Sequence, residues 1–190
     1  DQAYWVESGV ANIFRSNVDG TGLVTLNTIG VASPVAIAVD AVGGKVYWAD
    51  NGMYKILRAS LDGSDAEVCA NSVSSAQSLA VDPTSNRLFW SDSSWGDIRF
   101  VNLVDMSLGS FGFWLSFPSG LAVDTEAGHL YWADGMENKI SRSSVYGTSV
   151  QDVVTNGLNW PVGIALDQDG GWIFWANRGG KAISRARMDG

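Results

Sequence analysis

Short apolar runs of five or six residues, broken by Gly, Asp and Asn, recur along the whole chain. One stretch shows the pattern clearly: "VAIAV" at 35–39, "KVYWAD" at 45–50, "KILRAS" at 55–60 and "AEVCAN" at 66–71. The turns between them read "DAVGGK", "DNGMYK" and "LDGSDA". Runs of this length, rich in β-branched and aromatic residues and bounded by turn formers, predict strands. No window of about 11 residues carries a helical apolar stripe. Four successive antiparallel strands, called a to d from the first to the last, are therefore the expected unit.

The unit repeats. Trp5, Trp48, Trp90, Trp132 and Trp175 stand 43, 42, 42 and 43 residues apart. Asp40, Asp82, Asp124 and Asp167, which close "AIAVD", "SLAVD", "GLAVD" and "GIALD", follow at 42, 42 and 43. A third series, "NIFRSNVDG", "KILRASLDG", "KISRSSVYG" and "AISRARMDG", keeps the same period. Three registers on one period near 42, made of strands, predict the blades of a β-propeller. The expected blades are residues 1–29, 30–72, 73–115, 116–157 and 158–190 of a single propeller domain or propeller fragment. About 4.5 repeats are visible: the first lacks its strand a and the last its strand d. Open blade faces at both ends lead us to expect either missing blades supplied by other residues or self-association.

The combination of "PSGLAVD", "LYWAD" and "KISRSSVYG" resembles the YWTD repeat of the low-density-lipoprotein-receptor propellers, and the resemblance covers essentially the whole chain. It departs in detail. The third motif position is Ala, Ser or Val and never Thr, and the acid becomes Glu7 in the first copy and Asn177 in the last. The resemblance implies an all-β, YWTD-type propeller with four-stranded antiparallel blades and an extracellular or cell-envelope setting. It also implies a charge lattice in which Asp50, Asp92 and Asp134 pair with Arg58, Arg142 and Arg185.

A motif present in every blade is a packing device before it is a site. Neighbours on a strand point to opposite faces. Tyr47 and Trp48, Phe89 and Trp90, Tyr131 and Trp132, and Phe174 and Trp175 should thus each fill two different gaps between blades. Function should lie where the blades differ. The b–c and d–a loops share one face, called the top, where ligands of this family dock. Its candidates are Met53, Tyr54, Trp95, Phe117, Met136, Trp160 and Arg178, since aromatic side chains and Arg dominate protein interfaces. The third blade is irregular: Phe100 replaces the strand-c Arg, and Phe111, Phe113, Trp114, Leu115 and Phe117 crowd into seven residues. Some of these are expected to form strand d, as an apolar edge or as ordinary core.

Composition narrows the functions. A net charge of −8 argues against nucleic acid. No apolar run approaches the ~20 residues of a membrane span. The single cysteine, Cys69, excludes an intrachain disulfide and reads as buried and inert; the single histidine, His129, excludes a multi-histidine metal site. "DQDGG" at 167–171 looks like a calcium loop only until its equivalents in the other blades are aligned with it. No cofactor is expected. The leading expectation is a non-enzymatic protein- or peptide-binding or scaffold module using the top face. Two alternatives stay open: a Ca²⁺-dependent hydrolase or lyase with its site in the central channel, and a purely structural repeat that self-assembles.

Overall fold

A computed structural model describes residues 1–26 and 30–190. Every regular element in it is a strand. Blade 1 holds β1 (Gln2–Glu7), β2 (Asn12–Asn17) and β3 (Val24–Thr25). Blade 2 holds β4 (Pro34–Asp40), β5 (Lys45–Asp50), β6 (Lys55–Ser60) and β7 (Glu67–Asn71). Blade 3 holds β8 (Ala76–Asp82), β9 (Arg87–Asp92), β10 (Asp97–Asn102) and β11 (Leu108–Ser110). Blade 4 holds β12 (Pro118–Asp124), β13 (His129–Asp134), β14 (Lys139–Ser144) and β15 (Gln151–Val154), and blade 5 holds β16 (Pro161–Asp167), β17 (Trp172–Asn177) and β18 (Ala182–Arg187). The five sheets have three, four, four, four and three strands, each an antiparallel meander. The chain is a five-bladed β-propeller in which β4, β8, β12 and β16 pack successively on one another around the axis. The end of the first expected blade, residues 27–29, lies outside the described residues.

Alternation along strand b builds the gaps between blades. Trp48 packs with Ile13 and Leu26 of blade 1, while its neighbour Tyr47 packs with Leu79 and Trp90 of blade 3. Phe89 meets Leu121 and Trp132, and Tyr131 meets Ile173 and Trp175. Each indole therefore faces the preceding blade and each phenyl or phenol the following one. Trp48, Phe89, Tyr131 and Trp132 are fully buried. Cys69 lies in the gap between blades 2 and 3, and burial pushes its thiol up to about 12, which leaves it unreactive near neutrality. The outer faces of the first and last blades carry the same kind of surface without a blade upon it. Trp5 stacks on Phe14 at 5.6 Å on one; Gly163, Ala165, Phe174 and Ile183 line an open hollow on the other.

The charged positions correct the expected lattice. No Asp–Arg ion pair occurs among the described residues; the ion pairs there are Arg58–Glu67 at 2.7 Å and Lys139–Asp152 at 3.5 Å. Register gives the reason. Asp134 lies opposite Lys139 at the closed end of the hairpin, whereas Arg142 lies opposite Tyr131, three residues away. That is about 10 Å of strand. Each Asp instead bonds the loops above it. Arg142 reaches across the gap, its Nη1 donating to the Met188 carbonyl at 3.0 Å and to the Tyr131 hydroxyl at 3.2 Å. Arg15 donates to the equivalent Leu61 carbonyl at 3.4 Å. Blade 3 has Phe100 in place of this Arg, and Arg87 of β9 takes over: it donates to the equivalent Val145 carbonyl at 2.9 Å and lies 4.2 Å above the Phe100 ring. Arg58 turns outward to Glu67, and Arg185 rests on the Trp172 ring at 4.3 Å.

Candidate functional site on the top face

The carboxylates that end strand b assemble the top face. Asp134 is fully buried and accepts four backbone N–H groups: Ser116 at 2.8 Å, and Phe117, Met136 and Glu137 at 3.1 Å each. Asp50 does the same for Ala32, Ser33 and Met53. Asp92 takes the N–H groups of Ser94 and Trp95 and the hydroxyl of Ser74. In blade 5, Asn177 keeps the role with a neutral side chain: Oδ1 accepts from Asn159 N–H and from Trp175 Nε1, and Nδ2 donates to Gly157 and Ser184. In blades 2 to 4 one acid per blade thus clamps the d–a loop to the b–c loop, and in blade 5 Asn177 ties the d–a loop to strands b and c.

A backbone bond completes the clamp. The residue after strand b donates to the residue before strand a: Asn51 to Ser33, Ser93 to Ser75, Gly135 to Phe117 and Arg178 to Trp160, all at 2.9–3.1 Å. The same frame therefore presents Ser33 and Ser75 in two blades but Phe117 and Trp160 in the next two. The rings of Phe117 and Trp160 meet at 5.6 Å. Trp160 holds a left-handed φ of 55° with its N–H donated to Asn138 Oδ1 at 2.7 Å. Gly135 sits beneath the pair; a Cβ there would lie 3.2 Å from Trp160 Nε1 and 3.3 Å from Phe117 Cδ1.

Beside this pair opens a cleft of about 260 Å³, lined by Gln77 and Ser78 of blade 3, Phe117 and Ser119 of blade 4, and Val162 and Arg178 of blade 5. The Arg178 side chain is exposed and forms no ion pair among the described residues. Of the residues singled out from sequence, the structure brings together Phe117, Trp160 and Arg178. Tyr54, Trp95 and Met136 are exposed on the loops of three different blades and do not join them. Gln77, Ser78 and Ser119 were not singled out from sequence; their places on strand a, next to the Ser/Phe/Trp position, are the signal that marks them as channel-mouth residues. His129 is half-buried at the opposite end of blade 4, in a hollow with Tyr131, Arg142 and Arg187.

Among the described residues, no three His, Cys, Asp or Glu side chains cluster as a metal site. No described helix is long and apolar enough to cross a membrane.

A family model for the low-density lipoprotein receptor repeat class B matches residues 128–168. No curated protein matches the chain significantly. Solved structures do. A chain in the crystal structure of a nidogen/laminin complex superposes with a TM-score of 0.87 at 23% identity, over 97% of this chain and 73% of that one. Virginiamycin B lyase from Staphylococcus aureus gives 0.75 at 14% identity, over 98% and 66%. A structural genomics protein from Bacteroides thetaiotaomicron gives 0.78 at 16%, over 97% and 55%. Likeness at these identities establishes the fold. The repeated strand-b aromatics, the loop-clamping acids and these likenesses agree: the chain is a β-propeller, and its residues 128–168 match the low-density lipoprotein receptor class B repeat.

Proposed function

We propose that the chain is a non-enzymatic protein-binding module, working outside the cell or in its envelope, that receives its partner at the mouth of the channel. The observation that carries this reading is the Phe117–Trp160 pair beside Arg178. One repeated backbone frame offers a polar half at Ser33 and Ser75 and an aromatic half at Phe117 and Trp160, with an exposed guanidinium next to the rings. Aromatic and Arg side chains beside a cleft have the character of interface hot spots. The nidogen chain was crystallised in a complex with laminin, which adds a protein partner to the propeller it resembles. The lyase likeness is one of fold, and among the described residues no three His, Cys, Asp or Glu side chains gather in this channel.

The test is site-specific photocrosslinking to proteins of a cell-surface extract. A benzophenone amino acid replaces Met136 on the top face in one variant and Val42, exposed in the a–b turn at the opposite face, in another. The expected result is a discrete adduct from position 136 alone, competed by unlabelled chain but not by a Trp160→Ala/Arg178→Ala variant. Equal labelling from both faces, or full competition by the double variant, contradicts the reading.

A further inference from the structure

Blade 3 breaks the repeat at four places, and the structure brings three of them to one cleft. Trp95 stands where other blades have Val10, Met53, Glu137 and Gly180; Asp97 stands where they have Asn12, Lys55, Lys139 and Ala182. Arg99 stands where they have Phe14, Leu57, Ser141 and Ser184. The fourth departure, Phe100, is absorbed by packing: its ring lies over Gly109, where a Cβ would come within 2.4 Å of it. The aromatic run that follows is not strand d. That strand is the short β11, and residues 111–115 form a strap beyond it. Phe111, Phe113 and Leu115 turn inward, and Phe113 stacks on Trp132 at 4.9 Å. Trp114, at a left-handed φ of 53°, turns outward and is 90% exposed, the most of any tryptophan.

Asp97 fixes this strap. It is buried, and its Oδ1 accepts the N–H groups of Ile98 at 2.8 Å, Gly112 at 2.8 Å and Phe113 at 3.2 Å. Leu115 N–H donates to the Gly96 carbonyl at 2.6 Å, and a side chain at Gly96 would strike the Leu115 carbonyl at 2.4 Å. The turn bearing Trp95 and the strap bearing Trp114 are thus one rigid frame. Between them lies a cleft of about 200 Å³ with Arg99 in its wall; Arg99 and Ser110 also line a neighbouring hollow of about 370 Å³ that reaches Asn71 and Ser72 of blade 2. The half-buried Arg99 guanidinium lies 5.2 Å over the Trp95 ring and, among the described residues, forms no hydrogen bond or ion pair. Arg15, Arg58, Arg87, Arg142 and Arg187 each have a carbonyl or carboxylate, and Arg185 of the last blade shares the state of Arg99, resting only on a Trp ring.

We infer that this cleft is a second binding site, distinct from the channel mouth, for an extended proline-rich peptide bearing an acidic residue. The chemistry follows from the walls. Two exposed indoles on a hydrogen-bonded backbone frame match the flat pyrrolidine rings of a polyproline II segment, which loses little entropy on binding. An unpartnered guanidinium matches a carboxylate through two parallel N–H···O bonds. Within a chain of net charge −8, a cation left free of every internal acid is complementary to a ligand acid. The elongated pair of hollows suits a strand-like ligand running along the short edge of β11.

The test is calorimetric titration of the intact chain with Ac-Pro-Pro-Glu-Pro-Pro-amide, with indole N–H shifts followed by NMR. The expected result is shifts confined to the Trp95 and Trp114 signals, and affinity roughly tenfold or more weaker for the peptide with Gln in place of Glu. Trp114→Ala, a change at an exposed side chain, should abolish binding, and Arg99→Gln should erase the preference for Glu over Gln. A Trp160→Ala/Arg178→Ala variant should bind the peptide as the parent does, so failure here and failure at the channel mouth are read separately. No shift at millimolar peptide, or equal affinity for both peptides, overturns the inference. Shifts with a galacturonate trimer but not with the peptide would overturn it in favour of carbohydrate.

Discussion

Replacing Trp132 by Ala should destabilise the chain by about 3–5 kcal/mol, the range for truncating a large buried aromatic. For a domain of this size that is a fall in melting temperature of roughly 6–20 °C. Trp132 is fully buried between blades 3 and 4, among Phe89, Leu121 and Leu130, with Phe113 stacked on its ring at 4.9 Å. Truncation leaves a cavity lined by rigid strands, which cannot collapse into it. Because Phe113 belongs to the strap that carries Trp114, the loss should also loosen the outer rim of blade 3. Phe113→Ala and the double variant complete a cycle, and the coupling between the two rings should be about 0.5–1.5 kcal/mol. Chemical denaturation monitored by far-ultraviolet dichroism measures all three. Independent effects of the two substitutions would mean that the stacked pair does not join the strap to the core.

The second large effect is expected at Asp134. Asp134→Ala strands four N–H groups that the carboxylate now satisfies, all of them from the d–a and b–c loops of the candidate interface. Each buried donor left unpaired costs about 1–3 kcal/mol, partly relieved where water reaches the loops. A net loss of about 3–5 kcal/mol is expected. Asp134→Asn should cost less, about 1–3 kcal/mol, because Oδ1 can keep three of the donors while the amide nitrogen meets only the Ser116 N–H. Blade 5 shows what makes Asn acceptable: Asn177 finds acceptors for its Nδ2 in Gly157 and Ser184. Asp134→Ala should also weaken partner capture more than its stability loss explains, because Phe117 and Met136 hang from that carboxylate. Denaturation midpoints for Ala and Asn variants, combined with the crosslinking yield from position 136, check both statements. Equal costs for Ala and Asn would contradict the clamp.

Much of this fold was legible in the sequence because its determinants are local and repeated. A strand of six residues, a turn with Gly or Asn, and an indole every 42 or 43 residues give the blade, and alternation on strand b assigns each aromatic its gap. What the sequence hid depends on register and on single long-range bonds. Asp on strand b and Arg on strand c recur, together in blades 2 and 4, and invite pairing, yet hairpin register sets them three residues apart. The aromatic run after β11 looks like a strand, yet left-handed residues at Gly112 and Trp114 and the pull of Asp97 make it a strap. Arg99 was not singled out in the sequence, although the shift of Arg by one position, with Phe100 taking its usual place, was visible there. A shift of one residue moves a side chain to the other face of the sheet, and here it points a cation at a cleft.

At the candidate site the sequence identified residue types better than their assembly. Phe117, Trp160 and Arg178 come together because one hydrogen-bonded frame repeats at the top of each blade. Tyr54 and Trp95 project from the loops of other blades, and Met136 shares the Asp134 clamp with Phe117 without lining the cleft. Residue type alone could not separate these groups, since both are aromatic, Met or Arg in turns before or after strands.

The account rests on a division of labour: the recurring indoles of blades 2 to 5 are buried between blades, and the non-recurring ones on blade 3 face solvent. The most direct test is the solvent accessibility of the nine indole N–H groups, read by NMR with a soluble paramagnetic agent. The account predicts negligible broadening for Trp48, Trp90, Trp132 and Trp175 and strong broadening for Trp95 and Trp114. Strong broadening of the recurring four, or protection of Trp95 and Trp114 in the isolated chain, would contradict it.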